Sequence, residues 1–286
     1  MKGLDKLREK LPAYPGKRIA ILPLLCALAS VLAFVFIIIL DIIPRVYSDS
    51  SILTMIEPFL PLVGTISVGA LGFVLIGQVW SKREEMKASL GDLAYQKMIP
   101  TGLTGVFLIP PIVFHAFTSI RSLPPGPPVN ELTIQWSRSL LQMIGVDPLV
   151  DIWLRVIISA VFIILGAATV RSAILTFGFD YMAVVYLYFP EESEVQDNEI
   201  YSVIRHPTYL GGVMLGAAGL FFRFSVYSIL FFVIIFMVFR LQIVREEREL
   251  IERFGEGYAE YRKKVPALLV RPSKVSFFFR FLRVAE

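Results

Sequence analysis

The chain has 286 residues, 56% of them hydrophobic and 18% charged, with a mean hydropathy of +0.67 and a formal net charge of +4. That apolar share lies above the ~45–50% usual for soluble domains, which sets aside an ordinary water-soluble fold. The net charge is small and its positive residues sit at the edges of apolar runs, which argues against nucleic acid as a partner. The single cysteine, Cys26, lies inside an apolar run, so no internal disulfide can form. Several apolar runs reach the ~20 residues that cross ~30 Å of hydrocarbon. Because backbone in lipid must satisfy its own hydrogen bonds, the expected fold is an all-α, polytopic helical membrane bundle of about six transmembrane helices.

Residues 1–18 are basic, and Leu4, Leu7 and Leu11 at helical spacing predict a short surface helix. The first span is expected over Ile19–Ile43, ended by Asp41 and Pro44. It is too long for the apolar region of a signal peptide. The second, Phe59–Trp80, carries Gly64, Gly69, Gly72 and Gly77, residues that let helix backbones approach closely in lipid. The third, Ile99–Ile120, contains Pro110-Pro111, which predicts a kink, and His115, read as a packed histidine. The proline-rich run Leu123–Pro128 cannot be helical, and Leu132–Ile144 is expected as an interfacial helix with Trp136 at headgroup level. The fourth span is expected over Ile152–Leu175, with Arg155 and Arg171 snorkelling near its ends. Then come Tyr181, Tyr186, Tyr188 and an acidic run from Glu191 to Glu199. A fifth span, Tyr209–Phe222, is short for a bilayer and is expected to tilt inward or pair with its neighbour inside the protein; with a sixth, Ser225–Val244, it forms an apolar hairpin, followed by a charged helix and a Phe277–Phe281 tail suited to the membrane surface. Lys and Arg concentrate at the N-terminus, in the loop 81–98 and in the C-terminal tail. By the positive-inside rule these regions, and both ends of the hairpin, are expected on the cytoplasmic side. Residues 1–145 are thus expected as an N-terminal membrane region with about three spans, and 146–286 as a core with a C-terminal cytoplasmic helix.

The hairpin brings two polar clusters to one surface. The first is Tyr201, Arg205-His206-Pro207-Thr208-Tyr209; the second is Gln242, Arg245-Glu246-Glu247 and, further on, Phe254-Gly255, Tyr258, Tyr261 and Val265-Pro266. Pro207 suits the first turn of a helix, leaving the N–H groups of Thr208 and Tyr209 open to a carboxylate, with His206 as a further donor. Glu246 and Glu247 can accept the two hydroxyls of a ribose or face a cation. The same residues also suit a plainer reading: a helix start with a surface histidine, then a solvated helix with Arg245–Glu249 and Glu249–Arg253 ion pairs. Tyr258 and Tyr261 suit interface anchors equally well.

Taken together, the two clusters resemble the isoprenylcysteine carboxyl methyltransferase and phospholipid methyltransferase group, whose pattern runs Gly-x-Tyr-x-x-x-Arg-His-Pro-x-Tyr-x-Gly, an apolar hairpin, then Glu-Glu-x-x-Leu-x-x-x-Phe-Gly-x-x-Tyr-x-x-Tyr-x-x-x-Val-Pro. The second half is complete here, from Glu246 through Leu250 to Pro266, and the first lacks only the leading glycine, which is Glu199. The resemblance covers about the last third of the chain. It implies a membrane methyltransferase that binds S-adenosylmethionine at the cytoplasmic face through Tyr201, His206, Pro207, Thr208, Tyr209 and Glu246, with Arg240 and Glu247 as catalytic groups and no metal ligands. The implied acceptor is lipophilic: a prenylcysteine-like carboxylate, an aminolipid or another small hydrophobic molecule, entering from the membrane lipids and met by Arg240 and Gln242. The family usually has an arginine four residues before the glutamate pair; here that position is Gln242. The segment Ser193–Glu199 also departs from the family pattern. Two other readings stand beside this one. Membrane sterol reductases share an Arg-His-Pro-like segment but use NADPH and have a different tail, and a non-catalytic scaffold on the same core would suit the first three spans.

Overall fold

The structure, a computed structural model, describes residues 11–91, 93–178 and 194–283. Most of the surface helix expected over 1–18, and Tyr181, Tyr186, Tyr188 with the start of the acidic run, lie outside these described residues. Eleven α-helices follow in order among the described residues. The N-terminal region comprises α1 (Ile21–Val46), the short α2 (Ser51–Ile56), α3 (Leu60–Leu90), α4 (Leu93–Phe107) and α5 (Ile109–His115). α4 and α5 are separated at Leu108, just ahead of Pro110-Pro111, whose missing N–H and fixed φ interrupt the helical ladder as expected. Two short helices, α6 (Glu131–Trp136) and α7 (Leu140–Met143), stand where a single interfacial helix was expected. Ser137–Ser139 breaks it because the Leu140 N–H leaves the ladder to donate to the Phe224 carbonyl at 2.8 Å. The C-terminal half holds α8 (Pro148–Phe177), α9 (Pro207–Arg223), α10 (Val226–Lys264) and α11 (Val275–Arg283).

Five helical stretches among the described residues are long and apolar enough to cross a bilayer: Gly16–Val46, Ser51–Leu90, Leu93–His115, Pro148–Phe177 and Val226–Lys264. Their lipid-facing sides are lined with exposed Leu, Ile and Val, for example Leu24, Leu28 and Val31 on α1 and Ile157 and Ile164 on α8. The protein is an all-α, polytopic integral membrane protein. The helix α9, expected as a further span, has 17 residues, about 26 Å at 1.5 Å per residue. It lies between α8 and α10 rather than out in lipid. Its contact with α8 depends on two facing glycines: a Cβ on Gly211 would sit 2.9 Å from the Gly166 carbonyl oxygen, and one on Gly166 would sit 3.0 Å from the Gly211 oxygen.

Two of the four buried apolar clusters among the described residues join α10 to its neighbours. One joins α1, α3, α5 and α10 through Ile37, Val68, Ile112, Phe231, Ile235 and Phe239. The other packs α8, α9 and α10 against the segment around Ile200–Ile204 and against α11 through Ala173, Ile204, Ile243 and Phe278. Several polar side chains buried among these apolar ones find partners, as burial favours. His115 is fully buried; Nδ1 lies 2.8 Å from the Thr65 hydroxyl and Nε2 2.8 Å from Asp41 Oδ2, with the ring against Phe231. This bears out the packed-histidine reading. Arg45 donates to the carbonyls of Leu123 (2.6 Å), Gly126 (3.0 Å) and Ile120, with Glu57 3.6 Å away, and so anchors the proline-rich loop. Arg155 does not snorkel outward. It turns in, to Asp151 at 2.7 Å and to the Phe222 carbonyl, because the end of α9 offers an unsatisfied backbone acceptor there.

Candidate active site at the open end of the hairpin

α9 begins at Pro207 and α10 carries Glu246 and Glu247 one turn beyond its apolar stretch, so the antiparallel hairpin sets the two clusters side by side. The Glu247 carboxylate is the hub. Oε1 accepts from Arg205 Nε at 2.9 Å and from Arg205 Nη2, and lies 3.2 Å from His206 Nε2; Oε2 is 3.3 Å from Arg262 Nε. Arg205 is itself buried, and its remaining Nη1 donates to the backbone carbonyls of Arg262 (2.8 Å) and Val265. A buried guanidinium with this many acceptors fixes the relative position of three chain segments.

Gly255 explains why the motif's tail belongs to the site. Its backbone (φ 56°, ψ −130°) is open to glycine and hostile to other residues, and it bends α10 so that the last turns fold back toward α9. The Tyr261 hydroxyl then donates to the Tyr201 carbonyl at 2.7 Å, and Arg262 reaches Glu247. Beyond the helix, the Pro266 and Ala267 carbonyls accept the backbone N–H groups of Arg205 (2.9 Å) and His206 (3.2 Å). The terminal Val265-Pro266 of the motif thus accepts from Arg205, side chain and backbone, and the next residue, Ala267, accepts from His206.

On the other side of this hub lies a set of groups that look inward. His206 stacks on the Tyr209 ring (5.5 Å between centroids, 12° between planes), and its Nδ1 is 3.8 Å from Glu246 Oε2. Tyr209 packs on Phe239, with its hydroxyl against Glu246 and Gln242. The Tyr201 ring lies against Phe177; burial, reinforced by the Glu246 carboxylate, pushes its phenol well above the usual tyrosine range, so it stays a neutral donor. No side chain caps α9, which leaves the N–H groups of its first turn, at Thr208 and Tyr209, available. Gln242 is 6% exposed and its carbonyl Oε1 has no hydrogen-bond partner. An uncapped helix start, a carboxylate at Glu246 and an unsatisfied buried acceptor fit a zwitterionic ligand with a carboxylate at one end and hydroxyls or a cation at the other.

The structure therefore brings together Tyr201, His206, Pro207, Thr208, Tyr209, Glu246, Glu247 and Gln242. Arg240 is not among them: it is exposed on a different face of α10 from the buried Gln242. The expected Arg245–Glu249 ion pair does not form. Arg245 lies instead over the Phe73 ring (4.1 Å) and donates to the Phe73 carbonyl, while Glu249 pairs with Arg83 and Arg253. Arg245 occupies the space left by Gly77, where a Cβ would come within 2.7 Å of its guanidinium. The sequence reading gave Arg205 and Arg262 no role. An arginine directly before His-Pro, opposite a glutamate pair, was the available signal for the first; for the second there was none, since only the bend at Gly255 brings it in.

Fold and site together define a polytopic helical membrane protein with a charged, partly buried ligand site at one end of an apolar hairpin. Residues 157–252, which take in the first cluster and the glutamate pair, match the isoprenylcysteine carboxyl methyltransferase (ICMT) family, the family that the motifs resemble. Among curated proteins, the chain is 32% identical over 108 residues to protein-S-isoprenylcysteine O-methyltransferase of Schizosaccharomyces pombe, covering 37% of this chain and 45% of that one. It is 29% identical over 107 residues to protein-S-isoprenylcysteine O-methyltransferase B of Arabidopsis thaliana, covering 37% and 54%. A probable enzyme of the same name from Oryza sativa is 25% identical over 117 residues, covering 40% and 61%. The chain thus spans about half the length of these relatives. No solved structure matches it.

Proposed function

We propose that this protein is an S-adenosylmethionine-dependent methyltransferase that acts on a lipophilic acceptor, first among them the carboxylate of a prenylcysteine. One observation carries the reading: the uncapped start of α9, His206, Tyr209 and Glu246 face one another across the mouth of the hairpin, inside the region that matches the family. When bound, S-adenosylmethionine supplies a methyl group already activated on a sulfonium. The protein's share is then positioning and water exclusion. The open N–H groups of Thr208 and Tyr209 receive the carboxylate of the methionine part. Pro207 contributes no N–H of its own and fixes the first turn. Glu246 accepts the ribose hydroxyls, and Tyr201 closes the side toward α8. Glu247 acts as a positioning residue: through Arg205 and His206 it sets the distance between α9 and α10. A carboxylate acceptor needs no general base, which suits a site whose candidate bases among the described residues, His206, Glu246 and Glu247, already have partners.

Gln242 lines this site as a neutral acceptor and donor, where the family's usual arginine would bring a charge. Arg240 is exposed on α10 two residues before Gln242, and in this reading it meets an anionic acceptor at the bilayer edge. The site lies on the cytoplasmic side, a reading supported by the basic stretch 81–98, which the structure forms not as a loop but as the end of α3 and the start of α4, and whose Arg83 pairs with Glu249 of α10 at the same end. The test is methyl transfer by the purified protein to a panel of prenylcysteines, aminolipids and small hydrophobic acids, alongside binding of S-adenosylmethionine and NADPH. Binding of NADPH without S-adenosylmethionine sinks the reading in favour of a reductase; binding of neither leaves a scaffold.

A further inference from the structure

At the far end of the same hairpin, about 26 Å along α9 from His206, lies a second polar site unrelated to methyl transfer. A cavity of about 360 Å³ opens there, lined by Arg121, Arg155 and Arg223 together with Ser119, Ser137 and Gln142. The three guanidiniums come from three separate stretches: the loop after α5, the second turn of α8 and the last residue of α9. Among the described residues a single carboxylate, Asp151, answers them, and it is occupied by Arg155 Nε, the Ser139 hydroxyl and the Gln142 amide, each at 2.7 Å. Arg223 uses only Nε, on the Thr118 carbonyl at 3.2 Å; its two terminal nitrogens and the whole of the exposed Arg121 have no protein acceptor among the described residues. Arg155 keeps Nη2 free in the same way. Like charges lining one cavity are unfavourable unless an anion joins them.

The depth of the cavity identifies that anion. On the outer side of α8, Leu149, Val150, Ile152 and Trp153 are exposed, Leu149 by 69% and Trp153 by 64%. Large apolar side chains exposed over the first turn and a half of a spanning helix, with a tryptophan among them, mark the boundary between hydrocarbon and headgroups. Arg155 belongs to the same turns, so the cavity faces headgroup depth. Its volume falls in the range of pockets that hold a small organic molecule, well beyond what a bare ion fills. Arginine forks match phosphate oxygens bidentately.

From this we infer that the cavity binds the phosphate of an anionic membrane lipid, through Arg223 and Arg121 with Arg155 behind them, on the face opposite the proposed methyltransferase site. The bound headgroup adds a polar tie between the loop after α5, α8 and α9 beside the apolar contacts Phe117–Phe222 and Phe162–Phe221.

The test uses the purified full chain in a neutral detergent. Phosphatidylglycerol, phosphatidylcholine and inorganic phosphate are titrated separately, with thermal unfolding and retained lipid in native mass spectrometry as readouts. The wild type is expected to retain one phosphatidylglycerol and to melt higher with it than with phosphatidylcholine. Arg223→Gln is expected to weaken this by about tenfold, equivalent to ~1.4 kcal/mol. Arg121→Gln, which removes no protein contact and leaves the fold intact, should weaken it in the same direction. Arg280→Gln/Arg283→Gln on α11 controls for the basic tail and should leave it unchanged. Loss of lipid binding in the α11 variant with the Arg121 and Arg223 variants unaffected overturns the proposal. So does stabilisation by inorganic phosphate at lower concentration than by the lipid, which would make the ligand a soluble anion.

Discussion

Replacement of Glu247 by alanine separates a structural role from a chemical one. The carboxylate is 7% exposed and takes hydrogen bonds or close charge contacts from Arg205, His206 and Arg262. Its removal leaves Arg205, whose side chain is 7% exposed, as a buried cation with Nε and Nη2 unpaired. Breaking a buried pair by deleting one partner costs about 3–5 kcal/mol. Water can reach the exposed Arg262, so its contact adds little, and we expect Glu247→Ala to lie near the low end of that range. Arg205→Ala should cost about as much, and the double variant should cost less than the sum by ~1–3 kcal/mol, because the two changes remove the same interaction. Thermal and denaturant unfolding of the four proteins in one detergent would measure this, with S-adenosylmethionine binding followed in parallel. Additive losses, or a Glu247→Ala protein as stable as wild type, would refute the hub. A stable Glu247→Ala protein that binds ligand normally and transfers no methyl would make Glu247 a direct participant in the chemistry.

His206→Ala and Glu246→Ala should each weaken S-adenosylmethionine binding by ~1–3 kcal/mol, the cost of a lost hydrogen bond to a charged group; calorimetry in detergent reads this, and unchanged affinity in both variants returns these residues to plain helix capping. If Arg240 meets the acceptor, Arg240→Ala should slow transfer to a prenylcysteine carboxylate more than to its amide, and Gln242→Arg should raise the rate on the carboxylate; loss of transfer to every acceptor in Gln242→Arg would make position 242 structural. Gly77→Ala should push the Arg245 guanidinium off Phe73 with a net stability change under ~1 kcal/mol, because the clash falls on the far end of a flexible side chain and alanine suits the helix better by about 1 kcal/mol; unfolding of Gly77→Ala, alone and with Arg245→Ala, reads this, and a larger loss would refute it. In a Cys26→Ala background, cysteines at Ser89 and Ser273 should label only from the cytoplasmic side; labelling of either from outside overturns the assigned orientation.

Much of this was legible because lipid simplifies the rules. Apolar runs and prolines announced the spans and the break before Pro110, and His115 could be read as packed because a polar group at that depth must find partners. The helix start at Pro207 followed from proline's missing N–H. What stayed hidden depended on long-range geometry. Arg245 and Glu249 have ideal spacing for an ion pair, yet tertiary contact with Phe73 and Arg83 overrode the local preference. Arg155 looked like a snorkelling residue because its acceptor, the Phe222 carbonyl, is 67 positions away. The place of Arg262 depends on one bend at Gly255. The split between Ser137 and Ser139 needed the free carbonyl of Phe224, which only the end of α9 supplies.

The α1–α3–α5 contact with α10 bears on any shortened version of this protein. The stretch shared with the curated relatives covers 37–40% of the chain, and the family match begins only at Ile157, so the first spans look dispensable on paper. Cutting them away would not be ruinous for Phe231, Ile235 or Phe239, since lipid tails can cover an apolar face about as well as a neighbouring helix does. The polar contacts have no such substitute. The Tyr227 hydroxyl would lose the Pro58 carbonyl, Arg245 would lose Phe73, Glu249 would lose Arg83 and Arg223 would lose the Thr118 carbonyl, the second and third just below the proposed ligand site. A trimmed protein would survive in its greasy surfaces and fail at its few polar seams, and restoring it would take replacement of those four residues rather than of the whole missing region.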